Sequence, residues 1–321
     1  MEFREYNQII DEVKSSNFIV IDKKVFDLYP EISKAIEDKV YFILSEPEES
    51  KTLDTYSKII KKFIQNNITR EDMICAVGGG ATSDMAGFVA YTVLRGVKWK
   101  CITTTLLGMI DASIGGKVGI NCTEGKNLIG GFHTPTEIIT CMNFLETLTD
   151  TDYQSGCGEL LKYHYLSDVI ADLISAPLNK NIINECAKLK LNIVANDFKE
   201  NGDRKLLNLG HTLGHALEKS SGLSHGICVA LGLEMMINVY APELVIDFNS
   251  RKSHFKIDAD PIQFDFNEVW NFVESDKKIN KSREIDIIVP ICIGESKIVR
   301  VPLDEFKKKI LNNEYCKNFF K

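Results

Sequence analysis

Met73-Ile74-Cys75-Ala76-Val77-Gly78-Gly79-Gly80 decides the fold. Five apolar residues in a row read as a strand buried on both faces, and the glycines after them mark a sharp turn. Helical spacing follows from Ser83 to Leu94, and Trp99-Lys100-Cys101-Ile102 reads as a further strand. Parallel neighbours need a crossover connection, so strand, turn, helix, strand is the unit of a parallel sheet. Upstream, Leu53 to Phe63 has helical spacing, while Phe18-Ile19-Val20-Ile21 and Val40-Tyr41-Phe42-Ile43-Leu44 are short apolar runs suited to strands. The first half is therefore an α/β layer, a parallel sheet covered by helices. From Gly156 to about Tyr240 the spacing is mostly helical, a strand-like run covers Ile285 to Pro290, and a charged amphipathic helix covers Leu303 to Leu311. The change of pattern near residue 150 predicts two domains, 1–150 and 151–321.

Length and charge narrow the classes of function. The chain has 321 residues, too many for one small domain, and 44% of them are apolar, enough for a large core. Its 38 Lys+Arg against 45 Asp+Glu give a net charge of −7, which argues against a general nucleic-acid binder. Nine cysteines with no C-x-x-C spacing argue against a disulfide scaffold and a zinc ribbon, leaving reduced thiols. The charged start, Met1 to Glu5, does not suit a secretory leader. Ile227 to Ile246 is the most apolar stretch, but Glu234, Pro242 and Glu243 make it a buried helix rather than a membrane span. The expectation is a cytoplasmic protein.

Three constellations carry chemistry. Gly78, Gly79 and Gly80 set free backbone N–H groups and a helix N-terminus at one spot, which suits a pyrophosphate. The spacing is not G-x-G-x-x-G, and a tight turn without a ligand fits the same residues. Asp111 to Lys117 and Gly125-Lys126-Asn127 are polar, glycine-flanked segments whose lysines suit a phosphate or carboxylate, or serve as solvated loop residues. Glycine is dense here, with 12 of the 21 glycines between Gly78 and Gly131. His211, His215 and His225 form the third constellation. The first two are four apart on a predicted helix and share a face. With Glu159 from an earlier helix, a carboxylate and two imidazoles make a Zn²⁺ site with an open position. Spacing alone does not say which two histidines ligate, and packing histidines fit it too. Lys162 lies on the same helix face as Glu159. Lys190, Glu200, Arg204 and Asn208 precede the histidine helix.

Together the pieces resemble the 3-dehydroquinate synthase family. The resemblance rests on Gly78-Gly79-Gly80 with Asp84, Gly87 and Phe88, on Leu94-Arg95-Gly96, and on Thr104-Thr105-Leu106-Leu107. It extends through Asp111-x-Ser-Ile-Gly-Gly-Lys117, Gly125-Lys126-Asn127-Leu128-Ile129-Gly130, Gly158-Glu159-Leu160-Leu161-Lys162, Leu206 to Ala216, His225-Gly226 and Asp276-Lys277-Lys278. It implies an N-terminal Rossmann-like domain binding NAD, and a mostly helical C-terminal domain holding Zn²⁺ or Co²⁺. It also implies action on 3-deoxy-D-arabino-heptulosonate 7-phosphate in the shikimate pathway of aromatic amino acid biosynthesis. By the same resemblance Glu159, His211 and His225 hold the metal, and His215 lies beside the substrate phosphate. Asp111, Lys117, Asn127, Lys162, Lys190, Arg204, Asn208 and Lys278 contact substrate, with Glu200 nearby. Arg95 reaches the partner subunit's site in a homodimer. Asp22, Glu48, Lys51, Gly78, Gly79, Gly80, Asp84, Thr104, Thr105, Lys117, Lys126 and Thr147 line the NAD site.

The chain departs from the family pattern at Ile227, where a glutamate usually follows His-Gly, and at Thr103, where a proline usually precedes Thr-Thr. Ile227 removes a possible partner for a metal-binding histidine. Two rival readings share the fold: another sugar-phosphate cyclase, of the 2-epi-5-epi-valiolone or 2-deoxy-scyllo-inosose synthase kind, and a metal- and NAD-dependent polyol dehydrogenase. Lys190, Arg204 and Asn208 suit a carboxylated substrate and favour the dehydroquinate reading. A binding protein without catalysis predicts eroded ligands, and none is eroded.

Overall fold

The computed structural model describes residues 1–257, 263–275, 279–280 and 282–320. It divides into two units, Met1–Thr149 and Asp150–Lys321. In the first unit, β1 (Glu2–Phe3), β2 (Phe18–Asp22), β3 (Val40–Leu44), β4 (Met73–Gly78) and β5 (Lys98–Thr103) precede a hairpin of β6 (Lys117–Cys122) and β7 (Gly125–Phe132). β8 (Glu137–Thr140) returns to the main sheet. Its six strands run β1-β8-β5-β4-β2-β3, and every pair is parallel. The apolar run that reads as a strand is β4, fully buried from Ile74 to Val77 and paired on both sides. Phe18, Val20, Ile74 and Ala76 pack against Ile59 and Phe63 of the helix Leu53–Gln65 and Met85 and Val89 of the helix Gly80–Thr92. Each buried Val, Ile, Phe or Met among them contributes about 1.5–3 kcal/mol of transfer free energy.

From β2 the chain goes to β3 on one side and then to β4 on the other. The winding reverses there, so the carboxyl ends of β2 and β4 flank the topological switch point, where open α/β sheets take ligands. Asp22 ends β2 and Gly78 ends β4.

Two expectations in this unit are corrected. The helix after the triple glycine starts at Gly80 rather than Ser83, with Gly79 at its N-cap. The segment from Lys117 to Asn127 is not a pair of glycine loops. Lys117 opens β6, while Lys126 and Asn127 lie in β7, antiparallel to it. Its glycines serve close strand packing. A Cβ on Gly119 would come within 2.7 Å of the Ile129 carbonyl oxygen, and one on Gly130 would overlap the Val118 carbonyl oxygen.

The second unit is built on the helices Asp150–His164, Lys180–Asn196, His211–Ser221 and His225–Tyr240. It is not helical throughout. β9 (Glu284–Cys292) contains the expected strand and pairs antiparallel with β10 (Glu295–Pro302), which the residue pattern did not reveal. The helix Leu303–Asn312 follows as expected. The apolar stretch from Ile227 to Ile246 is not one buried helix: its helix ends at Tyr240, and Pro242 opens a short 3₁₀ turn. Among the described residues no helix is long and apolar enough to cross a membrane.

Three of these helices meet at glycines. A Cβ on Gly158 would overlap the Gly226 carbonyl, and one on Gly226 would overlap the Ser155 carbonyl. A Cβ on Gly214 would lie 2.9 Å from the Cys228 carbonyl oxygen. Backbone therefore rests on backbone where Asp150–His164, His211–Ser221 and His225–Tyr240 cross. Gly226→Ala should destabilise the chain by about 1–3 kcal/mol, the usual cost of overpacking. Urea unfolding measures it, and an unchanged midpoint would show that these helices do not approach so closely.

Candidate active site

The crossing of the three helices places Glu159 and three histidines together. Glu159 Oε1 lies 3.2 Å from His211 Nε2 and 3.1 Å from His225 Nε2. Ligand atoms about 2.0–2.1 Å from a tetrahedral ion stand about 3.4 Å apart, so one carboxylate oxygen and two imidazole nitrogens fit a single divalent ion. The other glutamate oxygen, Oε2, is 2.6 Å from Lys162 Nζ, and both side chains are almost wholly buried. That contact turns Oε1 alone toward the histidines. His215 is adjacent: its ring centroid is 5.1 Å from that of His211 and 5.7 Å from that of His225. One ring nitrogen from each of the three histidines lies within 4.8 Å of the others, so His215 also has the reach of a ligand.

The far ring nitrogens are held as well. His211 Nδ1 is 3.0 Å from the Leu209 carbonyl oxygen, and His225 Nδ1 is 2.9 Å from Glu218 Oε2. Each far nitrogen faces an acceptor and carries the proton, which leaves Nε2 as the donor toward an ion. Burial alone would raise the Glu159 pKa, but the Lys162 ammonium and the imidazoles hold it well below the usual range. Burial pushes His211 down, with Glu159 opposing. Burial lowers His225 too, but hydrogen bonds to Glu159 and Glu218 outweigh it and push it up to about 10. The site favours positive charge at this point.

The expected anion-binding residues of this unit are buried polar groups. Lys190 is buried on the helix Lys180–Asn196. Arg204 is buried in the 3₁₀ turn Asp203–Asn208, and its Nη1 donates to the Phe198 carbonyl at 2.6 Å. Asp197 shapes that loop by accepting from the backbone N–H groups of Asn201, Gly202 and Arg204 at 2.9, 2.7 and 3.1 Å. Asn208 Nδ2 donates to Glu200 Oε1 at 2.5 Å. Lys278 lies outside the described residues.

In the first unit most of the expected cofactor residues lie at or after the carboxyl ends of the main-sheet strands, while Lys117 and Lys126 lie on the hairpin. The Thr104 N–H donates to the Gly78 carbonyl at 3.1 Å, which ties the end of β5 to the end of β4. Thr103 keeps its place in β5, paired on both sides, and its hydroxyl donates to the Ile139 carbonyl at 3.4 Å. A Cβ on Gly79 would sit 2.9 Å from Thr105 Cγ2. The triple glycine is therefore required by packing whether or not a pyrophosphate is bound. Asp111 sits in the short π-helical turn Gly108–Ala112, partly buried. Lys117 and Lys126 are exposed on the hairpin. Thr147 shares a 2.7 Å hydrogen bond with the Tyr29 hydroxyl.

Lys51 is the hub of this half. It is 1% exposed, and its Nζ donates to Asp84 Oδ2 at 2.8 Å and to Asn127 Oδ1 at 2.6 Å, with Glu48 Oε2 at 3.6 Å. Asn121 completes the ring: its Oδ1 accepts from the Asn127 N–H at 2.9 Å, and its Nδ2 donates to Glu48 Oε1 at 3.0 Å. Glu48, Lys51, Asp84 and Asn127 are thus one network joining the helix Gly80–Thr92 to the hairpin. Arg95 is exposed in the turn Val93–Arg95, where Leu94 and Arg95 both have positive φ, +50° and +64°.

The model described as 3-dehydroquinate synthase N-terminal matches residues 41–155, and that described as its C-terminal counterpart matches residues 156–279. A curated 3-dehydroquinate synthase of Staphylococcus epidermidis is 34% identical over 312 residues, 91% of this chain and 88% of that protein. The chain belongs to the 3-dehydroquinate synthase family. A curated 3-dehydroquinate synthase of Pyrococcus furiosus is 37% identical, over 81% of this chain and 80% of that protein. One from Streptomyces avermitilis is 44% identical over 199 residues, 58% of this chain and 55% of that protein.

Solved structures agree on the fold. A 2-epi-5-epi-valiolone synthase from Streptomyces hygroscopicus subsp. jinggangensis, with NAD⁺ and Zn²⁺ bound, has a TM-score of 0.83 at 20% identity, over 98% of this chain and 96% of that one. A 2-deoxy-scyllo-inosose synthase complexed with carbaglucose-6-phosphate, NAD⁺ and Co²⁺ has a TM-score of 0.79 at 21% identity, over 97% and 95%.

Within the family pattern, two side chains at these sites went unread in the sequence. Glu218 had a signal: it lies three residues after His215 and seven after His211, on one helix face. Asn121 had none, since its role depends on the hairpin register. Ile227 does not leave His225 without a carboxylate: it is buried in the apolar core, and Glu218 makes that contact. Lys51→Met should cost about 1–3 kcal/mol, because it leaves polar partners unpaired. Urea unfolding would show it, and unchanged stability would mean that the network does not hold the hairpin.

Proposed function

We propose that the chain converts 3-deoxy-D-arabino-heptulosonate 7-phosphate to 3-dehydroquinate and phosphate, as a lyase using NAD catalytically with a divalent ion, zinc or cobalt. The observation that carries this is the meeting of Glu159, His211 and His225 around one point, beside Lys162, in a chain of this family. When bound, NAD supplies a reversible hydride acceptor and the ion acidifies a hydroxyl. Glu159, His211 and His225 hold the ion, and Gly78 to Gly80, with Asp22, Asp84, Thr104, Thr105, Lys126 and Thr147, hold the cofactor.

The remaining residues bind and orient. Lys162 keeps Glu159 ionised and limits it to one oxygen toward the ion. In this reading His215, next to the ligand histidines, lies beside the substrate phosphate. Lys117, Lys190 and Arg204 supply fixed cations for phosphate and carboxylate, and Asp111, Asn127, Asn208 and Glu200 orient hydroxyls. Arg95, exposed on its turn, reaches the partner's site in a homodimer. The reaction belongs to the shikimate pathway in the cytoplasm.

Phosphate release from the heptulosonate phosphate, without net accumulation of NADH, is the expected outcome of a steady-state assay. Net NADH formation would instead indicate a dehydrogenase. His211→Ala should lose the metal and turnover together, and metal analysis of the purified variant checks the first independently of the second. Arg204→Lys should lower kcat/KM by roughly 10–100-fold, since a planar fork in charged hydrogen bonds is worth about 1.5–3 kcal/mol. The loss should be small for a sedoheptulose 7-phosphate type substrate. An unchanged ratio between the two substrates would remove Arg204 from the carboxylate pocket.

A further inference from the structure

We propose that Glu218 is a positioning residue that sets the orientation and basicity of His225, and so the strength of the metal site. The inference rests on the reading of Glu159, His211 and His225 as metal ligands. His225 stands between two carboxylates, with Nε2 3.1 Å from Glu159 Oε1 and Nδ1 2.9 Å from Glu218 Oε2. Once an ion takes the Nε2 lone pair, the ring keeps one proton, and the carboxylate at Nδ1 accepts it. An anion there adds electron density to the ring and strengthens the opposite nitrogen as a ligand.

The two ligand histidines differ in this respect. His211 gives its Nδ1 proton to the carbonyl oxygen of Leu209, a neutral acceptor fixed by the backbone. Of this pair, His225 is the one with a charged acceptor at Nδ1. Glu218 is itself on the helix that carries His211 and His215, so one helix supplies a ligand and the clamp on another helix's ligand. Its side chain is 15% exposed, so solvent screens the contact only in part. The residue after Gly226, Ile227, is packed in the apolar core and supplies no such contact.

The test uses the full chain stripped of metal and titrated with Co²⁺, read by its visible absorption bands and by competition with a chelator. Wild type should bind one Co²⁺ ion, and Glu159→Ala should lose it. Glu218→Ala should weaken binding about 10–100-fold, the usual range for an outer partner of a ligand histidine, and shift the cobalt bands. Glu218→Gln keeps an acceptor but not the charge, so it should fall between wild type and Glu218→Ala. It also carries the test if Glu218→Ala does not fold. Wild-type affinity and bands in Glu218→Gln and in any folded Glu218→Ala would overturn the role of Glu218 alone. Failure of wild type to bind Co²⁺, or equal binding by Glu159→Ala, would overturn the metal site and this inference with it.

Discussion

Backbone-to-backbone contact between three helices is the constraint on which the C-terminal unit depends. Helices usually pack about 8–10 Å apart, a gap set by their side chains. At Gly158, Gly214 and Gly226 no side chain intervenes, and each glycine faces a carbonyl of a neighbouring helix. Glu159, His215 and His225 are the chain neighbours of those glycines. Close approach therefore brings Glu159 to 3.1 Å from His225, and to 3.2 Å from His211 on the helix that Gly214 seats. The same contact buries Glu159 completely. A buried carboxylate is costly unless it is paired and hydrogen-bonded, and Lys162 with two imidazoles meets that requirement.

The N-terminal unit solves a different problem with the same residue. Its sheet winds in both directions from β2, and the ends of β2 and β4 lie where the direction changes. The triple glycine lets the helix Gly80–Thr92 start directly off β4 against Thr105 and Ala112. Lys51 then fastens the hairpin to that helix through Asp84 and Asn127. A lysine so enclosed does not act as a mobile charge. It fixes where Asn127 stands, and Asn127 has a positive φ of +55° that its hydrogen bond from the N–H to Asn121 helps to hold.

What was legible in the sequence follows from these physics. β4 and its turn were readable because a strand buried on both faces is continuously apolar and glycines end it. The histidine helix was readable because His211 and His215 repeat at the helical period. The hairpin was not, because β7 is mostly exposed and its alternate residues are not sorted by polarity. Its glycines mimic loop composition while serving the approach of β6. β10 went unread for a related reason: Glu295, Lys297 and Arg300 lie on a half-exposed strand with little apolar patterning. Contacts such as Glu200 with Asn208, or Asn121 with Asn127, depend on how loops and strands register, which local patterns do not encode.

Charge balance gives the cluster of Glu159 and the histidines its direction. Glu159 and Glu218 contribute two anions, and Lys162 contributes one cation. The sum leaves a surplus of negative charge close to His225, and the ring is held protonated well above the ordinary histidine range. A divalent ion held at Nε2 would have to displace that proton, since both use the same lone pair. The arrangement thus favours positive charge at one point and offers it nitrogen and oxygen donors, a set that suits a divalent transition-metal ion better than an alkali ion.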